Sequence, residues 1–145
     1  MNSVAEIKTS SAVQLHINML QTIIGKMGDN SKHCKQWCIA TQSLFFGFVK
    51  DDFNWWFFCC AVIVSFLFMF QDAGYLAFSR HFREQQKQFV EKINSSDKYD
   101  KDIYLVKTLH GCQRYCAIFT AMMSFYVLPY YVSFIFFFLF YLLSK

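Results

Sequence analysis

Two pairs of cysteines have a spacing that could serve metal binding. In each pair three residues separate the thiols, and a histidine precedes the pair. The residues concerned are His33, Cys34, Cys38, His110, Cys112 and Cys116. Four thiolates from two helices could hold zinc, but most zinc knuckles have only two residues between cysteines, and cysteine is also a common small apolar residue in membranes. We therefore expect no metal, and a reducing cytoplasm would disfavour disulfides.

No group of residues has the spacing of a catalytic site. The four histidines are His16, His33, His81 and His110. None of them has a serine or a carboxylate at the sequence spacing of a catalytic motif. The sequence also has no glycine-rich loop of the kind that binds phosphates. We predict that the protein is not an enzyme, with no catalytic residues and no cofactor.

Asp72 is the most informative single acidic residue, because it follows a long uncharged run directly. One interpretation is an acid at the membrane interface, paired with Arg80 or with a lysine of a neighbouring helix. The other is a charge at the mouth of a cation path, where it would take part in gating.

The uncharged run before Asp72 is the element around which the chain is organised. It covers 19 residues, 53–71, which at about 1.5 Å per residue matches the hydrocarbon thickness of a bilayer. Trp55 and Trp56 lie at one end, where aromatic rings favour the headgroup level. A chain of 145 residues could hardly enclose this run and two similar ones in a soluble core. We therefore predict a membrane protein.

Composition and charge placement agree with that prediction. Hydrophobic residues make up 55% of the chain, charged residues only 17%, and the net charge is +4. Four lysines against two acids lie in residues 1–35, and eight basic residues against five acids lie in residues 80–114. The positive-inside rule places both segments in the cytoplasm and the short acidic loop at residues 50–54 outside.

The first two predicted elements are an amphipathic helix at residues 11–28, ended by Gly28, and a first membrane span at residues 31–49. The apolar face of the first recurs at spacings of four and three and consists of Val13, Ile17, Leu20, Ile24 and Met27. This helix could lie on the inner leaflet or on its own bundle, or it could help several copies assemble.

The first membrane span carries a stripe of small and polar residues at the same spacings. We call it the small-residue stripe, and its members are Gln36, Ala40, Ser43 and Gly47. This stripe either packs against another helix or lines a pore.

The remaining elements complete an all-α membrane protein, which we expect to be homo-oligomeric. A tight turn at residues 50–54 joins the first span to the second, residues 53–78, as an antiparallel hairpin. The second helix continues into the cytoplasm to about residue 93, followed by a linker at 94–102 and a return or interfacial helix at 103–125. A break near Pro129 precedes the last span at 126–143, and two short spans are the alternative.

Three blocks of the sequence resemble one family of small bacterial membrane proteins. They are residues 20–37, 72–83 and 128–131. The matching positions are Met27, Asn30, Ser31, Lys35, Trp37, Asp72, Ala73, Tyr75, Leu76, Phe82 and Arg83, whereas Ser79 stands where an acid is usual. The blocks resemble SLATT-type effectors of anti-phage defence and the transmembrane effector of the Hailong system.

The resemblance implies an oligomeric channel in the bacterial inner membrane, with its N-terminus in the cytoplasm. A nucleotidyltransferase, or the single-stranded DNA oligomers it makes, would hold the channel closed, and infection would open it and depolarise the cell. Basic residues at the cytoplasmic face could bind such a polyanion, namely Lys26, Lys32, Lys35, Arg80, Arg83, Lys87 and Lys92. Ordinary positive-inside charge would give the same residues. The alternatives are a non-conducting membrane anchor that recruits a cytoplasmic partner, and a sensor built on the four paired cysteines.

Overall fold

The computed structural model describes residues 11–48, 55–95 and 105–143, and all regular structure within them is helical. The four helices are α1 (Ser11–Phe48), α2 (Trp55–Asn94), α3 (Gly111–Met122) and α4 (Leu128–Leu143). The predicted turn at residues 50–54 and most of the predicted linker at 94–102 lie outside the described residues.

Helix α1 is continuous over 38 residues, so the predicted end at Gly28 is wrong. A helix that ends at glycine usually has it in the left-handed conformation, and in the described part of the chain only Gly111 has a positive φ. Glycine within a helix costs about 1 kcal/mol relative to alanine. Burial of Leu20 on one side of Gly28 and Cys34 on the other keeps α1 against α2 and offsets that cost.

Helices α1 and α2 pack antiparallel along most of their length. Near the start of α1, Val13 packs with Phe89 and Ile93, close to the end of α2. Near the end of α1, Gln42 contacts Ser65 in the first half of α2. Because Ile17 also packs against the Val13 cluster, the apolar face predicted on residues 11–28 is used within the chain's own bundle.

Helix α2 is the one helix in the described part of the chain that is long and apolar enough to cross a membrane. Only 22% of its most apolar window is buried within the chain. Large side chains such as Ile63, Phe66 and Leu67 are exposed along it. A core helix of a soluble protein would be mostly enclosed by its own chain, and this one is not.

The segment before α3 is not helical, although a returning helix was predicted there. Residues 105–110 have no helical structure, and α3 begins at Gly111, whose φ is +59°. The side chain of Gln85 holds this segment, because its amide donates to the carbonyl of Lys107 and its Oε1 accepts from the Lys107 N–H at 3.1 Å. These two hydrogen bonds satisfy backbone groups that a helix would have paired internally.

A turn at residues 123–127 separates α3 from α4, in the region where the sequence predicts an interruption. Pro129 lies in the first turn of α4, where a proline loses no helical hydrogen bond. The two helices close the largest apolar cluster. Its buried members are Cys38, Ala73, Ala77, Ile118, Ala121, Met122, Val127 and Tyr131.

Candidate functional site

The face of α1 that meets α2 carries polar side chains at spacings of four and three residues. On α2, Ser65 and Asp72 lie seven residues apart and face the same boundary. We call the polar seam the six residues Ser31, Lys35, Cys38, Gln42, Ser65 and Asp72. Polar groups between two apolar helices must find partners within the protein, and most of these do.

Asp72 is 0% exposed and lies at the centre of an ion-pair network. The hydroxyl of Ser31 donates to its Oδ1, and Lys35 Nζ lies 2.8 Å from its Oδ2. Lys35 also donates to the Ser31 hydroxyl at 3.1 Å, which closes a ring of three groups. A buried carboxylate without such a counter-charge would be unstable, so Lys35 and Asp72 fix the register of α1 against α2.

This arrangement agrees with the first interpretation of Asp72, in which the acid is paired with a basic residue. The residue pairs with a lysine of the neighbouring helix, whereas Arg80 donates to Ser124 Oγ at 2.8 Å. A free carboxylate at the mouth of a cation path would require separation of Lys35 from Asp72.

Helix α4 contacts the seam through two adjacent tyrosines. The hydroxyl of Tyr130 donates to the backbone carbonyl of Lys35 at 2.9 Å. Tyr131 is buried, and its hydroxyl has no hydrogen-bond partner among the described residues. The two rings meet edge to face at 5.0 Å. Three helices thus converge at the level of Lys35 and Asp72.

Gln42 forms the second polar contact, further along the seam. Its amide nitrogen donates to the carbonyl of Ala61 at 3.0 Å and to the hydroxyl of Ser65 at 2.7 Å. Its Oε1 is buried and has no partner in the described structure. Since Ala61 and Ser65 lie within the uncharged run of α2, Gln42 lies at the same height along the bundle.

The small-residue stripe lies on another face of α1, and all four of its members are exposed. The Ser43 hydroxyl donates to the carbonyl of Ile39 at 2.9 Å, and Gln36 Oε1 lies 3.1 Å from His33 Nδ1. A Cβ atom added at Gly47 would meet no atom within 4 Å. Among the described residues, the stripe is therefore exposed and lies outside the face of α1 that contacts α2.

The seven basic residues predicted to bind a polyanion are in unequal environments. Three lie within 4.0 Å of an acidic side chain: Lys32 near Asp29, Lys35 near Asp72 and Lys87 near Glu91. Lys26, Arg83 and Lys92 are exposed, as is Arg80, which is hydrogen-bonded to Ser124. Lys92 lines a shallow hollow with His16 and Lys107. Of the three paired lysines only Lys35 is largely removed from solvent, because the side chains of Lys32 and Lys87 remain 76% and 68% exposed.

The two cysteine pairs lie in different environments. Cys34 and Cys38 are buried, whereas Cys112 and Cys116 are exposed on α3. Within residues 11–48, 55–95 and 105–143, no three histidine, cysteine or acidic side chains form a group that could hold a metal ion.

Sequence reasoning found Asp72 but missed the seam around it. The spacing of Ser31, Lys35, Cys38 and Gln42 is the same as that of the small-residue stripe, which is shifted by five positions, so periodicity alone could not choose between them. The informative signal was on α2, where Ser65 and Asp72 are separated by two helical turns in an otherwise apolar stretch.

Comparisons with known proteins give no further indication. No protein-family model, no curated protein and no solved structure matches the chain.

Proposed function

We propose that this protein is an oligomeric transmembrane channel that acts as a pore-forming effector of bacterial anti-phage defence. In the resting state a partner nucleotidyltransferase or its nucleic-acid product holds it closed. Infection releases that constraint, and the open pore depolarises the inner membrane. The family resemblance supplies the biological setting, and the two polar faces of α1 support the pore.

Contacts between α1 and α2 support a membrane location for the second half of α1. If the uncharged run of α2 crosses the bilayer, Ala61 and Ser65 lie within the hydrocarbon. Gln42 is hydrogen-bonded to both, so it lies at that depth too. The hairpin of α1 and α2 then crosses as a unit, with the half-buried Lys35 and the buried Asp72 at the cytoplasmic edge.

The observation that carries the proposal is the exposure of the small-residue stripe, which runs from the cytoplasmic edge at Gln36 to the depth of Gln42 and beyond. Ser43, next to Gln42, is exposed at that depth beside the exposed side chain of Leu44, and Gln36 is exposed at the edge beside Trp37. Polar side chains facing lipid are unfavourable, and they are found facing other helices or water-filled cavities. Several copies arranged with the stripe toward a common axis would remove it from lipid and line a path for ions.

In this arrangement, the ion pair between Lys35 and Asp72 keeps the proposed pore closed. While the two side chains are paired, Asp72 offers no free charge to a cation. Tilting of α1 against α2 would separate them and place a carboxylate near the inner mouth of the pore.

The test measures ion flux across liposomes and membrane potential in cells that express the protein without a regulator. Gly47→Leu introduces a bulky side chain on the stripe, where the single chain has open space. We expect flux and depolarisation to fall at least tenfold while membrane insertion stays normal. Gly25→Leu is the matched control, because Gly25 also has open space on α1 but lies outside the stripe.

A protein that inserts normally but conducts no ions under any condition would contradict the channel and favour a membrane anchor. Equal loss in the Gly25→Leu and Gly47→Leu variants would contradict the assignment of the stripe as the pore lining.

A further inference from the structure

We propose that α3 lies flat in the cytoplasmic leaflet and that two arginines near its ends bind the phosphates of anionic lipids. Arg114 is in the first turn of α3, and Arg80 of α2 contacts Ser124 just past its end. This inference rests on the membrane crossing of α2 in the proposed function. It does not depend on ion conduction.

The direction of α3 follows from where its two ends are attached to α2. At the start, the Arg114 guanidinium lies 5.5 Å from the centre of the Phe78 ring. Just past the end, Ser124 accepts a hydrogen bond from Arg80 at 2.8 Å. Arg114 and Met122, the last residue of α3, are separated by about 12 Å of helix, but Phe78 and Arg80 by only about 3 Å of rise along α2. Helix α3 therefore crosses α2, and it is close to the membrane plane if α2 spans the bilayer.

Both sides of α3 are apolar, which is unusual for a helix in water. Ile118, Ala121 and Met122 are buried against the bundle. The other side and the following turn expose large side chains, namely Tyr115, Phe119, Met123, Phe125 at 85% and Tyr126 at 73%. Aromatic side chains of this kind favour the boundary between headgroups and hydrocarbon. An in-plane position in the leaflet would cover this face with lipid.

The two arginines are held at the level where lipid phosphates would lie. Arg114 is exposed and rests over the ring of Phe78, and Arg80 is exposed and hydrogen-bonded to Ser124. The first turn of α3 contains no acid, and the His110 side chain does not cap it. A guanidinium binds phosphate through parallel hydrogen bonds, and the uncapped amides of the first turn favour an anion near Arg114.

An anionic lipid fits this surface better than a nucleic acid does. Single-stranded nucleic acid also binds cations that lie beside aromatic side chains, but the in-plane position of α3 would place these aromatic side chains in the leaflet, among lipids. A lipid satisfies both features, because its phosphate meets the arginines while its chains cover Phe119 and Phe125.

The experiment measures how much phosphatidylglycerol the full-length protein retains. The protein is placed in nanodiscs of phosphatidylcholine mixed with phosphatidylglycerol, and the lipids that stay bound after its release are counted by native mass spectrometry. We expect wild-type protein to retain phosphatidylglycerol preferentially. Arg114→Gln and Arg80→Gln should each weaken retention about fivefold, and the double variant about 25-fold, since each basic residue near an anionic surface contributes about 1 kcal/mol. Arg114→Lys should keep most of the retention.

Lys87→Gln is the charge-matched control, because Lys87 is exposed on α2 about 10 Å beyond Arg80. The thermal midpoint of each variant in pure phosphatidylcholine shows whether the variant is folded, and only folded variants enter the comparison.

Three results would overturn the inference: equal retention of neutral and anionic lipid, equal loss in Lys87→Gln, or tighter binding of a free oligonucleotide or inorganic phosphate than of the lipid. A protein that conducts ions but shows no lipid preference would contradict this inference alone. A lipid preference without conduction would contradict only the channel.

Discussion

Helix α1 has two polar faces that differ little in composition and spacing but lie in opposite environments. The face with Cys38 and Gln42 is buried against α2, and the amide nitrogen of Gln42 donates to two partners. The face with Gln36 and Ser43 is exposed, and its contacts stay within α1. The comparison shows that a polar residue on an apolar helix has no fixed role until its neighbours are known. The first face holds α1 against α2, and the second is exposed on the single chain.

The largest expected effect comes from breaking the ion pair on the buried face. Lys35→Met leaves Asp72 buried without a counter-charge and should lower the free energy of unfolding by about 3–5 kcal/mol. The double variant Lys35→Met/Asp72→Leu should recover most of that loss, because it removes both charges. Unfolding in detergent, measured as a double-mutant cycle, tests this. A double variant no more stable than Lys35→Met would show that the pair does not act as a unit.

Matched substitutions on the two faces give the next effect. Gln42→Ala removes two hydrogen bonds and leaves a cavity, and should cost about 2–3 kcal/mol of stability. Gln36→Ala, on the exposed face of the same helix, should stay within about 0.5 kcal/mol of wild type when the protein is held as single chains in detergent. If both variants lost equal stability, the division of α1 into a structural and an assembly face would be incorrect.

The smallest effect concerns the two tyrosines of α4 beside the buried face. Tyr130→Phe removes the hydrogen bond to the carbonyl of Lys35 and should cost about 1 kcal/mol. Tyr131→Phe removes a hydroxyl that is buried without a partner among the described residues, and should be neutral or slightly stabilising. The opposite order, measured by chemical unfolding, would mean that α4 is attached differently from the arrangement described above.

The sequence predicts those parts of the fold that depend on composition over a long stretch. The uncharged run indicated α2, and residues 55–94 do form one helix. Local signals were less reliable. Gly28 has the residue type of a helix end, yet packing on both sides keeps α1 continuous. Residues 105–110 are not helical, and the backbone of Lys107 is hydrogen-bonded to the Gln85 side chain instead.

The candidate site could be predicted only in part, for a related reason. A charge beside an uncharged run drew attention to Asp72, since ionisable groups at membrane depth are costly. The partner could not be chosen from the sequence, because Arg80 and several lysines are all within reach of a helical neighbour. Which α1 residues face α2 depends on a rotation of about 100° per residue, and neighbouring residues such as Cys38 and Ile39 have opposite exposure.

The continuity of α1 through Gly28 has a mechanical consequence. A 38-residue helix is a rod about 57 Å long, and Lys35 divides it unevenly, with the longer arm toward Ser11. The start of that longer arm is packed against α2 through Val13, Phe89 and Ile93, so a tilt of α1 about Lys35 has to break this packing as well as the ion pair. A movement of α1 at Gly47 is therefore opposed at both ends of the helix.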